Sequence, residues 1–478
     1  MTDGPTADAG ALGPAPGAAP PVALYVHVPF CVSLCPYCDF VVYAGAAARG
    51  PASRVAALVD ALLVEIDLRA DVQDARHGPP GGPGRDALDT VYLGGGTPSL
   101  LPAAAIARIL DAVHRRFGIA PGAEVTLEAN PGPDDRGDPV GMVAAGVTRI
   151  SLGAQSLDAT LLRRLGRRHR PGDVTAAVAA AREAGAGSVS LDLLYDIPGQ
   201  TPATWDATLG SALELAPDHL SLYALTLDDP EAEGLVGPVG DHLPTTPGAR
   251  RWRDRARAEQ DDDRAAALYE RASDVLGAAG YRGYEISNWA QPGHESRHNL
   301  AYWERRPYEA IGPGAHAFDG VVRRWNAARL EGYLAALLPA STAPTAGAAP
   351  TDAKGAPTGT AALPDATVAP PASTAPTDAE GAPTGAAAAA PPGLPPGGSE
   401  TINADDAAAE AAILGLRLDH GVPITVAEDP RFAAAFAWAR EASLVEDLVP
   451  ASGREGERRV RLTGRGRLLA NELFARLV

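Results

Sequence analysis

The chain has 478 residues, a formal net charge of -18, and 46 % hydrophobic against 21 % charged residues. That length suits two to three domains, with apolar content enough for a core even though alanine in low-complexity tracts inflates it. No run approaches the ~18 apolar residues of a membrane span, residues 1–20 lack the basic start and apolar centre of a secretory signal, and the acidic balance argues against nucleic acid or an anionic membrane as main partner.

In chain order, residues 1–20 are rich in Ala, Pro and Gly and read as a disordered tail. A strand is expected at Ala23–Val28, and three cysteines follow within eight positions: Cys31, Cys35 and Cys38. An odd count so tightly spaced makes a poor disulfide framework and a good metal site. Short apolar runs then recur at Leu88–Leu93, Glu124–Glu128, Arg149–Leu152, Ser188–Asp192 and His219–Leu225. Helices are expected near 52–70, 102–117, 158–165, 173–185 and 201–215. Strand–helix alternation repeated six times implies a parallel sheet with crossover helices, either an α/β barrel or a doubly wound sheet. Functional groups should then gather at the C-terminal ends of the strands.

Residues 230–262 look irregular and read as a solvated insertion, with a helix near 263–279 behind them. Residues 339–402 form a second low-complexity tract, in which APTDAKGAPTG and APTDAEGAPTG repeat, and read as a linker. Lys354, inside that tract, is the only lysine, so a conventional P-loop and a lysine base in the folded part are excluded. Residues 404–478 suit a small, separate winged-helix-like unit. Arginines cluster at Arg454–Arg467, but Glu441, Glu446 and Asp447 interrupt them, which argues against DNA binding.

The cysteine loop reads Tyr25-Val-His-Val-Pro-Phe-Cys31-Val-Ser-Leu-Cys35-Pro-Tyr-Cys38-Asp39-Phe40. Three thiolates at CxxxCxxC spacing can hold three irons of a [4Fe–4S] cluster, leaving the fourth open to a small molecule. A zinc reading needs a fourth ligand, with His27 or Asp39 as candidates. CxxxCxxC directly after the first strand of a sixfold βα pattern resembles the radical S-adenosylmethionine (SAM) superfamily. The resemblance implies a partial (β/α)6 barrel over residues 21–338, a [4Fe–4S] cluster on Cys31, Cys35 and Cys38, and SAM on the fourth iron. In that superfamily an electron from the cluster cleaves SAM.

Other strand ends carry matching residues. Gly94-Gly-Gly96-Thr97 follows the second strand, Glu128 ends the third, Gln155 the fourth and Asp192 the fifth, with Arg167 in the segment after Gln155. A carboxylate at a strand end suits a ribose diol, and an arginine suits a carboxylate. These motifs are similar to the branch of oxygen-independent coproporphyrinogen III oxidases and their relatives. That likeness implies SAM contacts at Tyr25, Gly96, Thr97, Glu128, Gln155, Arg167 and Asp192, and no separate catalytic side chain.

Two groups divide this branch. The oxidases have a fourth cysteine two positions after the third, where this chain has Phe40. Residues His298-Asn299-Leu-Ala-Tyr302-Trp303 match the HNxxYW signature of the HemW group, regarded as haem chaperones. The resemblance therefore implies haem as cargo, haem-accepting proteins as partners and a cytoplasmic location, with a homodimer left open. His298 is the expected haem ligand, with His27, His294 and His316 as alternatives; Tyr302 and Trp303 offer flat apolar area. The rival expectation is SAM-dependent decarboxylation of coproporphyrinogen III.

Overall fold

A computed structural model describes residues 17–44, 53–227, 230–339, 393–448 and 458–478. Six parallel strands lie side by side in chain order: β1 (Ala23–Val28), β2 (Leu88–Gly95), β3 (Ile119–Ala129), β4 (Arg149–Gln155), β5 (Ser188–Tyr195) and β6 (His219–Ala224). The crossover helices include α1 (Ser53–His77), α2 (Ala103–Phe117), α3 (Pro139–Ala144), α4 (Ala159–Arg164), α5 (Pro171–Glu183) and α6 (Pro202–Glu214). The row does not close on itself. Tyr308–Ile311 adds a further parallel strand outside β1, and Asn288–Ala290 pairs antiparallel with β6. The barrel is therefore partial, as expected.

The elements follow from their side chains. Leu24, Val26 and Val28 of β1 are buried in the same core cluster as Leu58, Leu62 and Ile66 of α1. In α2, Ile106, Ile109, Leu110, Val113 and Phe117 recur at helical spacing and form one buried stripe. Asp158 and Thr201 accept hydrogen bonds from the first free amides of α4 and α6, which fixes where those helices begin. Beyond the barrel, the Glu65 carboxylate of α1 is fully buried. It accepts from Arg69, Asn326 and Tyr333 side chains and from the Gly312 amide at 2.7–3.2 Å, tying the added strands to the barrel. A buried charge is tolerable when its lone pairs are met in this way.

Four sequence expectations change. The supposed insertion contains α7 (Pro247–Arg257), ahead of α8 (Asp262–Ala278); α7 buries Ala249, Arg253 and Ala256. The linker ends earlier than expected: Gly397–Thr401 forms an edge strand paired with Val322–Asn326, held by backbone pairing while its side chains stay mostly exposed, so no apolar alternation marks it. Residues 340–392, the bulk of that tract, lie outside the described residues, as do residues 1–16 of the tail. Residues 17–20 do not behave as free chain, since the Ala19 amide donates to the Asp319 carbonyl at 2.8 Å.

The C-terminal residues follow the order helix Ala404–Arg417, strand Val422–Pro423, helices Ile424–Glu428 and Ala433–Glu441, and strands Val445–Leu448 and Arg459–Leu462. Two short helices close the chain. The three strands form their own antiparallel sheet over a core centred on Phe436, Leu416 and Leu473. This unit is not detached. Arg417 and Arg467 reach Glu285 beside the barrel, at 3.7 Å to its carboxylate and 3.4 Å to its carbonyl.

Candidate functional site

The C-terminal ends of the six strands open into one cavity of about 680 Å³. Cys31, Cys35 and Cys38 line it after β1, Gly95, Gly96 and Thr97 after β2, and Glu128 with Asn130 after β3. Gln155 and Arg167 line it after β4, Asp192 on β5 and Tyr223 on β6. Strand ends converge because parallel strands all point the same way. Arg417, Arg467 and Phe474 of the C-terminal unit complete the wall.

The cysteine loop is held from two sides. Thr97 Oγ1 donates to Cys31 Sγ at 3.4 Å, and Arg167 Nη1 to Cys35 Sγ at 3.5 Å. Asn130 joins these two donors: its Nδ2 donates to Thr97 Oγ1 at 2.9 Å and its Oδ1 accepts from Arg167. Arg167 also donates to the Gly153 carbonyl at 2.8 Å. From α7, buried Arg253 donates to the carbonyls of Pro36 at 3.0 Å and Cys38 at 2.8 Å. Burial pushes the Cys31 thiol up to about 11, against the lowering effect of Thr97, and pushes Cys38 up further. Arg167 stays charged, since nearby acidic groups outweigh its burial.

Among the described residues no three His, Cys, Asp or Glu side chains are close enough to hold a single metal ion. A polynuclear cluster asks something different, one iron per thiolate, and hydrogen-bond donors to its sulfurs tune it. The three thiols edging one cavity, with Thr97 and Arg167 as donors to sulfur, fit such a group.

Glu128 accepts from Tyr92 OH at 2.7 Å and from the Gly95 amide at 3.0 Å. Burial lifts its acid to about 7 despite these donors. Asp192 accepts from Ser151 Oγ at 3.1 Å and is also raised by burial. The glycine turn is packed tighter than a ligand cradle alone requires. Gly95 sits at φ 106°, and a Cβ there would lie 2.4 Å from the His27 ring. The amides of Gly96 and Thr97 donate to the carbonyls of Val28 and Phe30 at 2.9 and 2.7 Å. This turn therefore uses its donors internally, and it suits a ligand amine better than a ligand anion. Gln155, which lines the cavity at the end of β4, takes φ 63° at the irregularity between β4 and β5, in the left-handed region.

Two expected contacts are not in the cavity lining. Tyr25 turns away, its hydroxyl donating to His27 Nδ1 at 2.9 Å. His298, expected to ligate haem, is 1 % exposed. Its Nδ1 pairs with Thr90 Oγ1 at 2.7 Å and its Nε2 with Tyr302 OH at 2.8 Å, so neither nitrogen is open to iron. Burial lowers it to about 3, which keeps it neutral. His27 is likewise buried, with Nε2 donating to the Val41 carbonyl. His294 and His316 lie outside the cavity lining, near Asp218 at 4.0 Å and against Asp241 at 2.7 Å.

Residues missed in the sequence are Asn130, Arg253, Arg417 and Arg467. Asn130 was accessible, two positions beyond Glu128 at the same strand end. The arginines carry no local signal, since each meets the site across a long chain separation.

Residues 25–212 match the Radical SAM superfamily. The heme chaperone HemW of Mycobacterium tuberculosis is 35 % identical over 467 residues, 98 % of this chain and 97 % of that one. The chain belongs to the HemW family. HemW of Escherichia coli is 39 % identical over 297 residues, covering 62 % of this chain and 70 % of its own. In structure, the radical SAM enzyme coproporphyrinogen III oxidase (HemN) of Escherichia coli aligns over 96 % of this chain and 90 % of its own. Its TM-score of 0.66 at 21 % identity shows a shared fold. No helix among the described residues is long and apolar enough to cross a membrane.

Proposed function

We propose that this HemW-family chain is a radical SAM haem chaperone, which binds haem and delivers it to haem proteins in the cytoplasm. The observation that carries the radical SAM part is the polar belt Cys31–Thr97–Asn130–Arg167–Cys35 at the mouth of six strand ends. Cys31, Cys35 and Cys38 would hold a [4Fe–4S] cluster, which supplies a low-potential electron when bound. The Gly96 turn and Thr97 would face the SAM amine, Arg167 its carboxylate, and Glu128 the ribose, with Gln155 and Asp192 alongside. Glu128, near neutrality in its burial, can present either an acceptor or a proton to the diol. The C-terminal unit, read as winged-helix-like, lines one side of that cavity with Arg417, Arg467 and Phe474.

The chaperone reading rests on the HemW relatives and on Phe40. This side chain is 62 % exposed and replaces the fourth cysteine of the oxidase pattern. The test is anaerobic reconstitution followed by haem loading and transfer to an apo haem protein. Stoichiometric loading with transfer, and no product from coproporphyrinogen III, is the expected result. Conversion of coproporphyrinogen III to protoporphyrinogen, with release of 5′-deoxyadenosine, would overturn it.

A further inference from the structure

Charge is spread unevenly over this acidic chain. Residues 161–170, LLRRLGRRHR, hold five arginines and no acid, and α7 holds five more with Asp254 as its one acid. These two segments are the ones that grip the cysteine loop. Gly166 packs on Pro36, where an added Cβ would lie 3.1 Å from the proline Cδ. Arg253 of α7 holds the carbonyls of Pro36 and Cys38, and the rings of Trp252 and Tyr37 lie 6.2 Å apart. Trp252 Nε1 donates to the Arg164 carbonyl at 3.0 Å, which joins the two segments beside the loop.

Helical spacing sets which arginines face outward along that seam. Arg253 and Ala256 are buried, whereas Arg251 and Arg255 are exposed. Arg255 stands three positions beyond Trp252 and four beyond Arg251, so these side chains share the flank of α7 turned towards Arg164. Among the described residues the side chains of Arg251 and Arg255 have no hydrogen-bond or ion-pair partner. Exposed Arg163 meets only the Thr160 hydroxyl, at 3.1 Å. Arg164 and Arg168 meet exposed acids at long range, Glu259 at 3.8 Å and Asp134 at 3.7 Å. The other flank of α7 is neutralised, Arg250 by Glu231 and Arg257 by Asp254.

Unpaired arginines gathered at one place on an anionic protein make a directed positive field. Beside a redox centre, such a field suits an anionic redox protein, because charge steers the small, short-lived contacts of electron transfer. The cysteine loop calls for one. An electron spent on SAM has to be replaced, and all three cysteines of the chain lie in this loop, so no second cysteine-held cluster can relay it. Asp134, Asp254 and Glu259 break the face into spots, which suits a protein better than the continuous phosphate track of a nucleic acid.

We propose that the face formed by Arg163, Arg251 and Arg255 beside Trp252 docks a small acidic one-electron carrier protein, whose reduced centre passes its electron to the cluster on the cysteine loop. The carrier loses one electron and the cluster gains it, with no bond made or broken. This rests on the radical SAM reading above.

The test uses the full chain, anaerobically reconstituted, with an acidic plant-type [2Fe–2S] ferredoxin as probe. Arg251→Glu and Arg255→Glu are compared with Arg115→Glu, an equal change of charge at an exposed arginine in the last turn of α2. That helix runs back from the end of β2 to the start of β3, which puts Arg115 at the opposite end of the barrel. The unmodified chain should bind oxidised ferredoxin saturably, and at least about tenfold more weakly when salt rises from about 50 to about 500 mM. Arg251→Glu and Arg255→Glu should each weaken binding about fivefold. Reduction of the cluster by reduced ferredoxin, followed by freeze-quench electron paramagnetic resonance, should slow by a similar factor. Arg115→Glu should match the unmodified chain. Equal affinities in all three variants would overturn the docking face. So would the absence of saturable ferredoxin binding, including a chain that binds duplex DNA or phosphatidylserine vesicles instead. Cluster absorption and haem loading that persist in those cases leave the radical SAM and chaperone readings standing; a chain that forms no cluster overturns the proposal together with the radical SAM reading.

Discussion

Arg253→Ala tests how the cysteine loop is held. Arg253 is 4 % exposed and donates two hydrogen bonds from α7 to the carbonyls of Pro36 and Cys38. A hydrogen bond from a charged donor contributes about 1.5–3 kcal/mol, so the pair is worth on the order of 3 kcal/mol at the lower bound. The loop opens locally rather than with the whole barrel, and 3 kcal/mol corresponds to roughly a hundredfold rise in its open population. The Cys38 amide, which donates to the Cys35 carbonyl at 3.2 Å, is the natural reporter. Its hydrogen exchange should accelerate roughly a hundredfold in Arg253→Ala. In reconstituted protein, loss of visible absorption to a chelator under nitrogen should speed up with it. Arg253→Lys, whose ammonium cannot span both carbonyls, should fall between. Exchange and bleaching rates equal to those of the unmodified chain would refute the clamp.

Cys35→Ala should abolish the broad visible absorption of anaerobically reconstituted protein; an unchanged spectrum would remove Cys35 from the ligand set. Glu128 is raised from 4.5 to about 7 in the folded chain, so its contribution to stability is full below 4.5 and is lost as pH rises through 7. At ~1.36 kcal/mol per pH unit, that interval amounts to on the order of 3 kcal/mol. Denaturant titrations should show this fall between about pH 4.5 and 7 in the unmodified chain and a flatter profile in Glu128→Gln. His298→Ala strands Thr90 Oγ1 and Tyr302 OH inside the protein, and should cost roughly 2–4 kcal/mol in denaturant unfolding. The folded variant should still titrate with hemin as the unmodified chain does. Phe436→Ala empties the centre of the C-terminal core and should cost about 3–5 kcal/mol, read as an earlier unfolding transition.

Whatever depends on neighbours in the chain was legible without coordinates. The cysteine spacing lies on one loop, and the parallel row was visible because buried strands are short apolar runs set off by helices of different period. Glu128, Gln155 and Asp192 were placed together by that topology alone, since every strand of a parallel row ends on the same side. Their contacts in the folded chain agree with the placement in the cavity lining.

Other features needed the tertiary structure. His298 looked like an accessible ligand because a histidine beside aromatics reads the same whether buried or exposed. Only packing against Thr90, 208 positions away, shows both its nitrogens engaged. Arg253 sits in a stretch too polar to announce a helix, yet it holds the cysteine loop from 215 positions away. A run of glycines suggests a turn open to a ligand, whereas the amides of Gly96 and Thr97 donate to Val28 at the end of β1 and to Phe30 just beyond it. Gly397–Thr401 carries a linker's composition, and its order comes from the exposed edge of Val322–Asn326. By itself the sequence determined which groups stand at the strand ends. The tertiary structure decided which of them are free to act, because long-range hydrogen bonds and burial consume donors, acceptors and charges that local composition leaves open.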